Sequence, residues 1–433
     1  MIIYRDWQRL PPNMRTMFFV MPSIPIVTAC MISFAVQSSE VTNLIVDDSK
    51  SEQVFFYWNI DKLCVSKTQL GEETYQAAYS ALIEKADKYL EGASLTVVAD
   101  KDHIPPSGDL HDYYSIARYT WPDSTKSDGL PYINRDGHTN PEFYSYDCET
   151  MLKMTERVRI LTLAWYFTDN KKYADAAVHQ LRTWFLDKQT KMNPHLKYGQ
   201  IRKGIHINGG NPTAVLDGAY LVNILDAINL LAAGKIGLSN SDYRRIKKWF
   251  NNLLEWDLYS EQGRKEKKVN NNTGTSYDLQ ILAYSIFCKK RNLAIDVMSH
   301  FPTLRIFRQI DDEGKQPEEI NRTIGFGYSV SNISVLMNVL IIAYNQGIKL
   351  KPEVLNHFYK AVDYLIPFLD KNIEWPYQNI SNMDYYRQRL CFELYRISTI
   401  IDKSRTDYYN LYRKYYKFNK TDLNILLYDM DYK

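Results

Sequence analysis

The cysteine and histidine patterns that hold a metal or a disulfide framework are missing from this 433-residue sequence. Its cysteines are widely scattered, with no CxxC pair and no histidine at a ligand spacing. Neither a zinc site nor a set of disulfides is therefore predicted, and we expect no metal and no cofactor. The five cysteines are Cys30, Cys64, Cys148, Cys288 and Cys391.

An excess of one charge is also missing. The 53 Lys and Arg residues nearly balance the 50 Asp and Glu residues, so the formal net charge is only +3. The one dense basic run, residues 265–268, is short and contains a glutamate. So small a basic excess argues against nucleic acid as a partner.

Linkers, repeats and long apolar runs are absent as well. No Pro/Gly/Ser-rich linker divides the chain, and no fixed-period repeat of the kind that solenoids show is present. Beyond the N-terminal region, no segment has the roughly 20 continuous apolar residues of a membrane-spanning helix. These absences predict a single domain over residues 41–433 and disfavour an α-solenoid.

The N-terminal region has the charge order of an export signal. Arg5, Arg9 and Arg15 precede an apolar stretch over residues 17–35, which two prolines interrupt. The sequence Val-Thr-Ala-Cys ending at Cys30 is typical of a lipoprotein signal, although an unusually apolar segment follows it. We expect residues 1–40 to be a signal peptide or lipoprotein signal. The protein is then exported, to the periplasm or as an outer-membrane lipoprotein whose only membrane attachment is a lipid on Cys30.

The rest of the chain has the periodicity of helices. From about Thr74 onward, apolar residues recur at spacings of three and four. Short connections at residues 168–171 and 233–237 imply antiparallel helical hairpins. A long series of hairpins without a heptad seam predicts an all-α fold, an α/α toroid built as an incomplete barrel. Two long non-helical segments, residues 104–142 and 192–212, are predicted to be binding loops.

Two polar segments lead into apolar helices and suggest chemistry on an anionic sugar. The first, residues 270–278, concentrates amides, hydroxyls and a glycine. The second, residues 322–328, begins with the permanent cation of Arg322 and ends with the phenol of Tyr328. The 34 tyrosines and 8 tryptophans add flat surfaces on which sugar rings stack.

Five blocks, in order between about Pro105 and Tyr377, resemble the alginate-lyase-like polysaccharide lyases with α/α-toroid folds. The resemblance is strongest to the group classed as family 38 and more remote to family 5, with a family-like core over about residues 100–385. The blocks lie at residues 107–113, 119–137, 192–198, 271–278 and 316–329, and residues 375–377 form a weaker sixth.

This resemblance implies β-elimination on a uronic-acid polymer, which leaves a 4,5-unsaturated uronate end and consumes no water. Asn272 and Arg322 are expected to neutralise the substrate carboxylate and hold the enolate-like intermediate. Tyr328 is expected to act as the base, with its pKa lowered by Arg322, and to return the proton to the leaving oxygen. Elimination with the opposite geometry needs a second group, for which His206 is the candidate beside His195 and His138.

The expected substrate-binding residues comprise sugar-stacking aromatics, carboxylate-binding cations and polar members of the two lead-ins. They are Asn271, Thr273, Tyr277, His111, Tyr113, Trp121, Arg135, Tyr198, Arg202, Gln316, Trp375 and Tyr377. A non-catalytic alternative stands beside the central assignments. Asn271 and Asn272 cap a helix that begins near Ser276, and Arg322 pairs with Glu318 or Glu319.

Thr273 departs from the family, because relatives commonly place histidine after the asparagine pair. Another residue then acts in its place, or the uronate differs, or activity has been lost. The last case makes the chain a glycan-binding homologue. A glycoside hydrolase on the same toroid is a further alternative, which requires two facing carboxyl groups from among Asp123, Asp136 and Glu142. The polymer, polymannuronate-rich alginate or a glucuronan-like chain, stays open, as does internal or terminal cleavage.

Overall fold

The computed structural model describes residues 44–47, 55–99, 101–234, 237–428 and 430. The expected export signal and Cys30 lie outside these residues. Residues 42–433 form one compact unit by their contacts. Its α-helices are α1 (Ile60–Thr68), α2 (Glu73–Glu91), α3 (Asp147–Thr168), α4 (Lys171–Phe185), α5 (Val215–Val222), α6 (Leu225–Ala233), α7 (Asn240–Tyr259), α8 (Glu261–Glu266), α9 (Asn272–Phe287), α10 (Arg291–Phe301), α11 (Phe307–Gln309), α12 (Pro317–Ile320), α13 (Gly325–Asn345), α14 (Pro352–Leu365), α15 (Met383–Arg396), α16 (Thr406–Tyr415) and α17 (Asn424–Tyr428).

Consecutive helices pair as hairpins. Helix α3 ends at Thr168, where Asp169 takes a left-handed conformation with φ of 56°. Asn170 then caps α4 by accepting a hydrogen bond from the backbone of Lys172, so a two-residue turn reverses the chain. Helix α9 likewise packs on α10, and α15 on α16. The predicted hairpin at residues 168–171 is therefore confirmed.

Helix α13 follows the second polar lead-in and is surrounded by other helices. It packs against α9, α12, α14 and α15, and most of its side chains are buried. By length and composition Gly325–Asn345 and Pro212–Ala233 are apolar enough to cross a membrane, which the sequence analysis did not anticipate. Within each apolar window, however, 78% of the residues are buried inside the protein, as expected of core helices.

Six short strands within the described residues connect the loops in pairs. They are β1 (Leu44–Val46), β2 (Tyr114–Ile116), β3 (Thr120–Trp121), β4 (Ile133–Asn134), β5 (Tyr198–Ile201) and β6 (Ile348–Leu350). The parallel pair β2–β5 joins the two segments that were predicted as binding loops. The antiparallel pair β3–β4 closes a hairpin within the first of them, and β1 pairs with β6. Pairing of this kind holds both long loops over the helical scaffold.

Candidate active site

Arg322 and Tyr328 converge at the start of α13. The guanidinium carbon of Arg322 lies 3.7 Å from the centre of the Tyr328 ring. Asp136, from the loop after β4, joins them: its carboxylate accepts hydrogen bonds from Arg322 Nε at 3.2 Å and from Arg322 Nη2. The Tyr328 hydroxyl lies 3.5 Å from the same carboxylate. Arg322 therefore pairs with Asp136, not with Glu318 or Glu319 as the non-catalytic alternative had it.

The backbone of the Asp136 loop lets it approach α13 closely. Gly137 has a φ of 78°, and an added Cβ there would lie 2.6 Å from the Thr323 hydroxyl oxygen. Thr323 in turn donates to Asp136 from its backbone N–H at 3.2 Å and from its hydroxyl at 2.9 Å. A glycine is needed at this position because a larger residue would push the carboxylate away from Arg322.

The pKa of Tyr328 departs from the expectation. Burial raises it well above the ordinary value, the neighbouring Tyr119 adds to the rise, and Arg322 lowers it by less than these. The prediction that Arg322 brings this pKa down to the neutral range is therefore wrong, because the net shift is upward. A buried phenol resists ionisation, and one stacked guanidinium does not compensate. Arg322 nevertheless makes the phenolate less unfavourable than burial alone would.

Asn272 is held by a buried carboxylate. Glu319 Oε1 accepts the backbone N–H of Asn272 at 2.6 Å, and Glu319 Oε2 accepts Asn272 Nδ2 at 2.7 Å. Glu319 is 1% exposed and lies on α12, three residues before Arg322. Burial raises its pKa to about 7, although both bonds from Asn272 and the charge of Arg322 oppose the rise. The two polar lead-ins thus meet through this carboxyl group.

Asn271 acts as a helix cap. Its side-chain oxygen accepts hydrogen bonds from the backbone N–H and the hydroxyl of Thr273, at 2.9 and 2.8 Å. Helix α9 begins at Asn272, not near Ser276 as the sequence analysis expected. The capping role is therefore confirmed for Asn271, whereas Asn272 is the first helical residue. Substrate contact by Asn271 and Thr273 stays a prediction, because both side chains are only half-buried.

An ion pair inside the core supports this first lead-in. Arg305 is 1% exposed and donates to Asp278 on α9, at 2.8 Å from Nε. Its two terminal nitrogens donate to the backbone oxygens of Val269 and Lys267, at 2.8 and 2.9 Å. One buried guanidinium thereby fixes the chain immediately before the asparagines. Asp278 is therefore a scaffold residue that anchors this guanidinium in the core.

A chain of hydrogen bonds between buried amide side chains connects the two lead-ins inside the protein. Gln309 Nε2 donates to the backbone oxygen of Asn271 at 3.1 Å. Asn332 Nδ2 donates to the side-chain oxygens of Gln309 and Gln316, at 2.9 and 2.8 Å. Gln316 Nε2 continues the chain to the backbone oxygen of Ser329, next to Tyr328, at 3.2 Å. Since Gln316 is 2% exposed, its predicted contact with substrate is wrong; it supports the site.

Four aromatic residues predicted to stack on sugars are also buried. The Tyr113 hydroxyl donates to buried Asp217 at 2.7 Å, and the Tyr277 hydroxyl lies 3.4 Å from the backbone oxygen of Asp257. Tyr198 is 6% exposed, and Trp375 packs edge-on against a phenylalanine cluster. Their predicted contact with substrate is wrong, because packing inside the protein already covers these rings. The four residues are Tyr113, Tyr198, Tyr277 and Trp375.

Other predicted binding residues retain accessible surface. The Arg135 guanidinium lies 5.4 Å from the centre of the Trp121 ring, and Arg135 is next in sequence to Asp136. Trp121 Nε1 donates to the backbone oxygen of His138, which orients the indole. The stacked pair therefore borders the Arg322 site. Half-buried Tyr377 lies beside Trp375, with 5.3 Å between the ring centres.

His111, Arg202 and His206 use part of their hydrogen-bonding capacity within the loops. His111 Nδ1 lies 2.7 Å from the backbone oxygen of Lys191. Arg202 Nε donates to the backbone oxygen of Tyr132, and its backbone N–H donates to His206 Nδ1 at 3.0 Å. His206 lines a cavity of about 680 Å³ that none of Asn272, Arg322 and Tyr328 lines. A catalytic role for His206 stays a prediction.

A second charged cluster involves Glu142, which the sequence analysis named only as a candidate carboxyl group for hydrolysis. Lys203 pairs with Glu142, which also accepts hydrogen bonds from the hydroxyls of Tyr132 at 2.8 Å and Tyr146 at 3.2 Å. Burial acts to lower the pKa of Lys203, but its bonds to Glu142 and Tyr146 outweigh that effect and raise it. Because Glu142 lies 61 residues from Lys203, the only signal in the sequence was that both belong to the two long loops.

The residues that the structure describes contain no cluster of three or more His, Cys, Asp or Glu side chains placed to hold a metal ion. Within them Cys64, Cys148, Cys288 and Cys391 are free thiols.

Helices α9 and α13 pack together, and the Asn272 amide, the Arg322 guanidinium and the Tyr328 phenol lie at their N-terminal ends. This fold and this set of groups are those of a toroid-type carbohydrate enzyme. The family described as Alginate lyase matches residues 96–375. An alginate lyase from Bacteroides ovatus, known from its crystal structure, is 32% identical with a TM-score of 0.80. That likeness covers 87% of this chain and 99% of the other. The chain belongs to the alginate lyase family, and the predicted α/α toroid is confirmed.

A second solved structure is a more distant match. The alginate lyase A1-III from Sphingomonas species A1 is 12% identical to this chain, with a TM-score of 0.49. The match covers 88% of this chain and 97% of that one. A search of curated proteins gave no match.

Proposed function

We propose that this protein is a polysaccharide lyase that cleaves a uronic-acid polymer by β-elimination, with polymannuronate-rich alginate or a glucuronan-like chain as substrate. The observation that carries the proposal is the convergence of the Arg322 guanidinium and the Tyr328 phenol within 3.7 Å. The alginate lyase from Bacteroides ovatus, 32% identical over nearly its whole length, supports the same reaction and substrate class.

The substrate carboxylate is the group that needs neutralising. Arg322 bonds Asp136 through Nε and Nη2, so the Nη1 hydrogens are the ones that face away from that pair. Asn272 gives one Nδ2 hydrogen to Glu319 and keeps its second. These two donors are proposed to bind the uronate carboxylate and to stabilise the charge that develops on it when the C5 proton leaves.

Tyr328 is proposed to move the proton. In its phenolate form it takes the proton from C5, the C4–C5 double bond forms, and the bond from C4 to the bridging oxygen breaks. The same phenol then returns the proton to that leaving oxygen, so atoms and charge balance without water. One group suffices when both atoms lie on the same face of the sugar, and on that geometry His206 is not required.

Hydrolysis is disfavoured by the state of the carboxyl groups that it needs. A hydrolase requires one carboxylic acid that holds a proton for the leaving group. Asp136 is paired with Arg322 and Glu142 with Lys203. Burial is the largest single influence and raises each carboxyl pKa, but the hydrogen bonds and cation charge around each group together lower it below the ordinary value. The pKa of Asp123 is lowered by hydrogen bonds from Thr125. All three are therefore ionised at neutral pH.

A panel of polysaccharides tests the proposal. The protein would be incubated with polymannuronate, polyguluronate, glucuronan and a neutral glucan, and the ultraviolet absorbance of new double bonds recorded. We expect absorbance to grow with at least one acidic polymer and not with the glucan. Reducing ends without the absorbance would establish hydrolysis instead. No reaction with any polymer, alongside measurable binding, would establish the non-catalytic homologue.

We further propose export, with lipid attachment at Cys30. The support is the N-terminal charge order and the Val-Thr-Ala-Cys sequence. Radiolabelled palmitate should enter the protein in bacterial cells, and Cys30→Ala should abolish the labelling. Labelling that persists in this variant contradicts lipidation at Cys30.

A further inference from the structure

Glu319 is a buried carboxyl group that the proposed reaction does not use. It is 1% exposed, and no cation lies within ion-pairing distance of it in the part of the chain that the structure describes. Both of its oxygens point at one residue, since Oε1 accepts the Asn272 backbone N–H and Oε2 accepts Asn272 Nδ2. Burying a carboxyl group costs free energy. An amide or hydroxyl cap would accept the same backbone hydrogen bond with a smaller loss of folding stability, so a purely structural role does not require a carboxyl group.

The chemistry of this pair selects one orientation of the Asn272 amide. An ionised carboxylate only accepts hydrogen bonds, whereas an asparagine side chain has a donating and an accepting end. Facing Glu319, the amide must present Nδ2, and the carbonyl end is turned away. The second Nδ2 hydrogen is then left for another acceptor, a role that the proposed function gives to the uronate carboxylate.

The position of Glu319 in the chain links this orientation to the rest of the site. Gln316 immediately precedes the short helix α12, Glu319 lies within it and Arg322 follows it, at intervals of three residues. Gln316 bonds the backbone beside Tyr328, Glu319 bonds Asn272, and Arg322 bonds Asp136. The backbone N–H of Arg322 also donates to the backbone oxygen of Glu319 at 3.2 Å. This hydrogen-bonded turn therefore sets the spacing between the Asn272 amide, which Glu319 holds, and the Arg322 guanidinium.

We infer that Glu319 is a positioning residue for the elimination, which holds the Asn272 amide with its nitrogen toward the substrate carboxylate. The inference rests on the proposed lyase function. The alternative is that Glu319 only caps helix α9. The Asn272 N–H lies in the first turn of α9 and has no partner within the helix, so a carboxylate that accepts it would stabilise the helix. A cap contributes to stability alone, whereas an orienting group contributes to the chemical step.

Glu319→Gln is the variant that separates the two roles. Glutamine keeps the size of the side chain but turns an NH₂ group toward one of the two Asn272 donors. We expect kcat to fall by about 10- to 100-fold, the range typical of lost outer-shell partners, with KM within about threefold. Glu318→Gln is the matched control, because Glu318 is the exposed neighbour on the same helix, and its kcat should stay within about twofold of the wild type. Should Glu319→Gln not fold, Glu319→Met, which has a similar length but no hydrogen-bond acceptor of that kind, is measured in its place with the same criterion.

A double-mutant cycle with Asn272→Ala identifies the route of the effect. If Glu319 acts through Asn272, then Glu319→Gln costs less than about twofold once Asn272 has become alanine. Equal losses of kcat in both backgrounds would overturn the inference. If the Asn272→Ala rate is too low to measure, a kcat of Glu319→Gln within twofold of the wild type overturns it. Failure of the proposed function looks different, since the wild-type protein would then produce no unsaturated ends from any polymer.

Discussion

The Arg322 guanidinium stacks over the face of the Tyr328 ring at 3.7 Å, instead of pointing at its hydroxyl. In this arrangement the cation stabilises the ring's negative charge through its face, while its edge donates to Asp136. On the proposed function, this one side chain serves the base and, through its remaining hydrogens, the substrate carboxylate. Arg322, Tyr328 and Asp136 therefore depend on each other's geometry. A substitution that keeps the charge but changes the shape of the side chain should not preserve the arrangement.

Arg322→Lys should therefore lose most activity although the charge is kept. An ammonium group neither stacks over the ring as a plane nor donates side-on to Asp136. We expect kcat/KM to fall by about 100-fold or more, the scale of a lost transition-state donor. Arg308→Lys, at an exposed position, is the control and should leave the rate unchanged. A variant at position 322 within about fivefold of the wild type would show that charge alone suffices.

The pH dependence follows from the raised pKa of Tyr328. Burial and the neighbouring Tyr119 raise it, so the phenolate is the minor form at neutral pH. Below the pKa of the phenol, its ionised fraction grows about tenfold with each pH unit. We expect kcat/KM to increase between about pH 6 and about pH 9, measured in buffers of constant ionic strength. A profile that falls across this range would require a different base.

The buried Arg305–Asp278 pair should be needed for folding and for placing Asn272. Arg305→Met strands the Asp278 carboxyl and two backbone oxygens, which should cost about 3–5 kcal/mol of unfolding free energy in urea titrations. The double variant Arg305→Met with Asp278→Leu removes the stranded charge and should regain a large part of that loss. If the double variant is no more stable than the single one, the pair is not the source of the destabilisation.

Glu319 should also give stability a pH dependence of definite sign. Its pKa is raised from 4.5 to about 7 on folding. The folded protein therefore keeps a proton that the unfolded chain releases between these values, so this group's contribution becomes less favourable as pH rises through that window. The full shift corresponds to roughly 3 kcal/mol.

Unfolding free energies of wild type and Glu319→Gln at about pH 4.5 and about pH 8 measure this contribution. Raising the pH should shift the difference between the two proteins in favour of the variant by up to roughly 3 kcal/mol. The Glu318→Gln control should show no such shift. A difference that is the same at both pH values would mean that Glu319 does not titrate on folding.

The sequence predicts those parts of the site that depend on local spacing. The hairpin at residues 168–171 and the cap at Asn271 follow from caps and apolar periodicity that lie within a few residues. Arg322 and Tyr328 meet because one lies just before helix α13 and the other in its first turn. Their closeness in the sequence was enough to indicate the contact.

Partners from distant segments could not be predicted in this way. Asp136 lies 186 residues from Arg322, and Glu319 lies 47 residues from Asn272. Tyr113 and Tyr277 have the composition of sugar-binding aromatics, yet tertiary packing buries them, and no local pattern distinguishes a buried tyrosine from one that lines a groove. Family resemblance located the right blocks, but it did not separate substrate-contacting residues from those that support them.

The turnover of Tyr328→Phe on an acidic polymer that the wild type cleaves tests the central claim most directly. Tyr259→Phe, at a side chain that is 69% exposed, is the matched control. We predict that Tyr328→Phe forms unsaturated ends at less than about a hundredth of the wild-type rate, while polymer binding by calorimetry changes by less than about threefold, as expected when only a proton-transfer group is lost. A Tyr328→Phe rate above about a tenth of the wild-type rate would contradict the role of this phenol as the base.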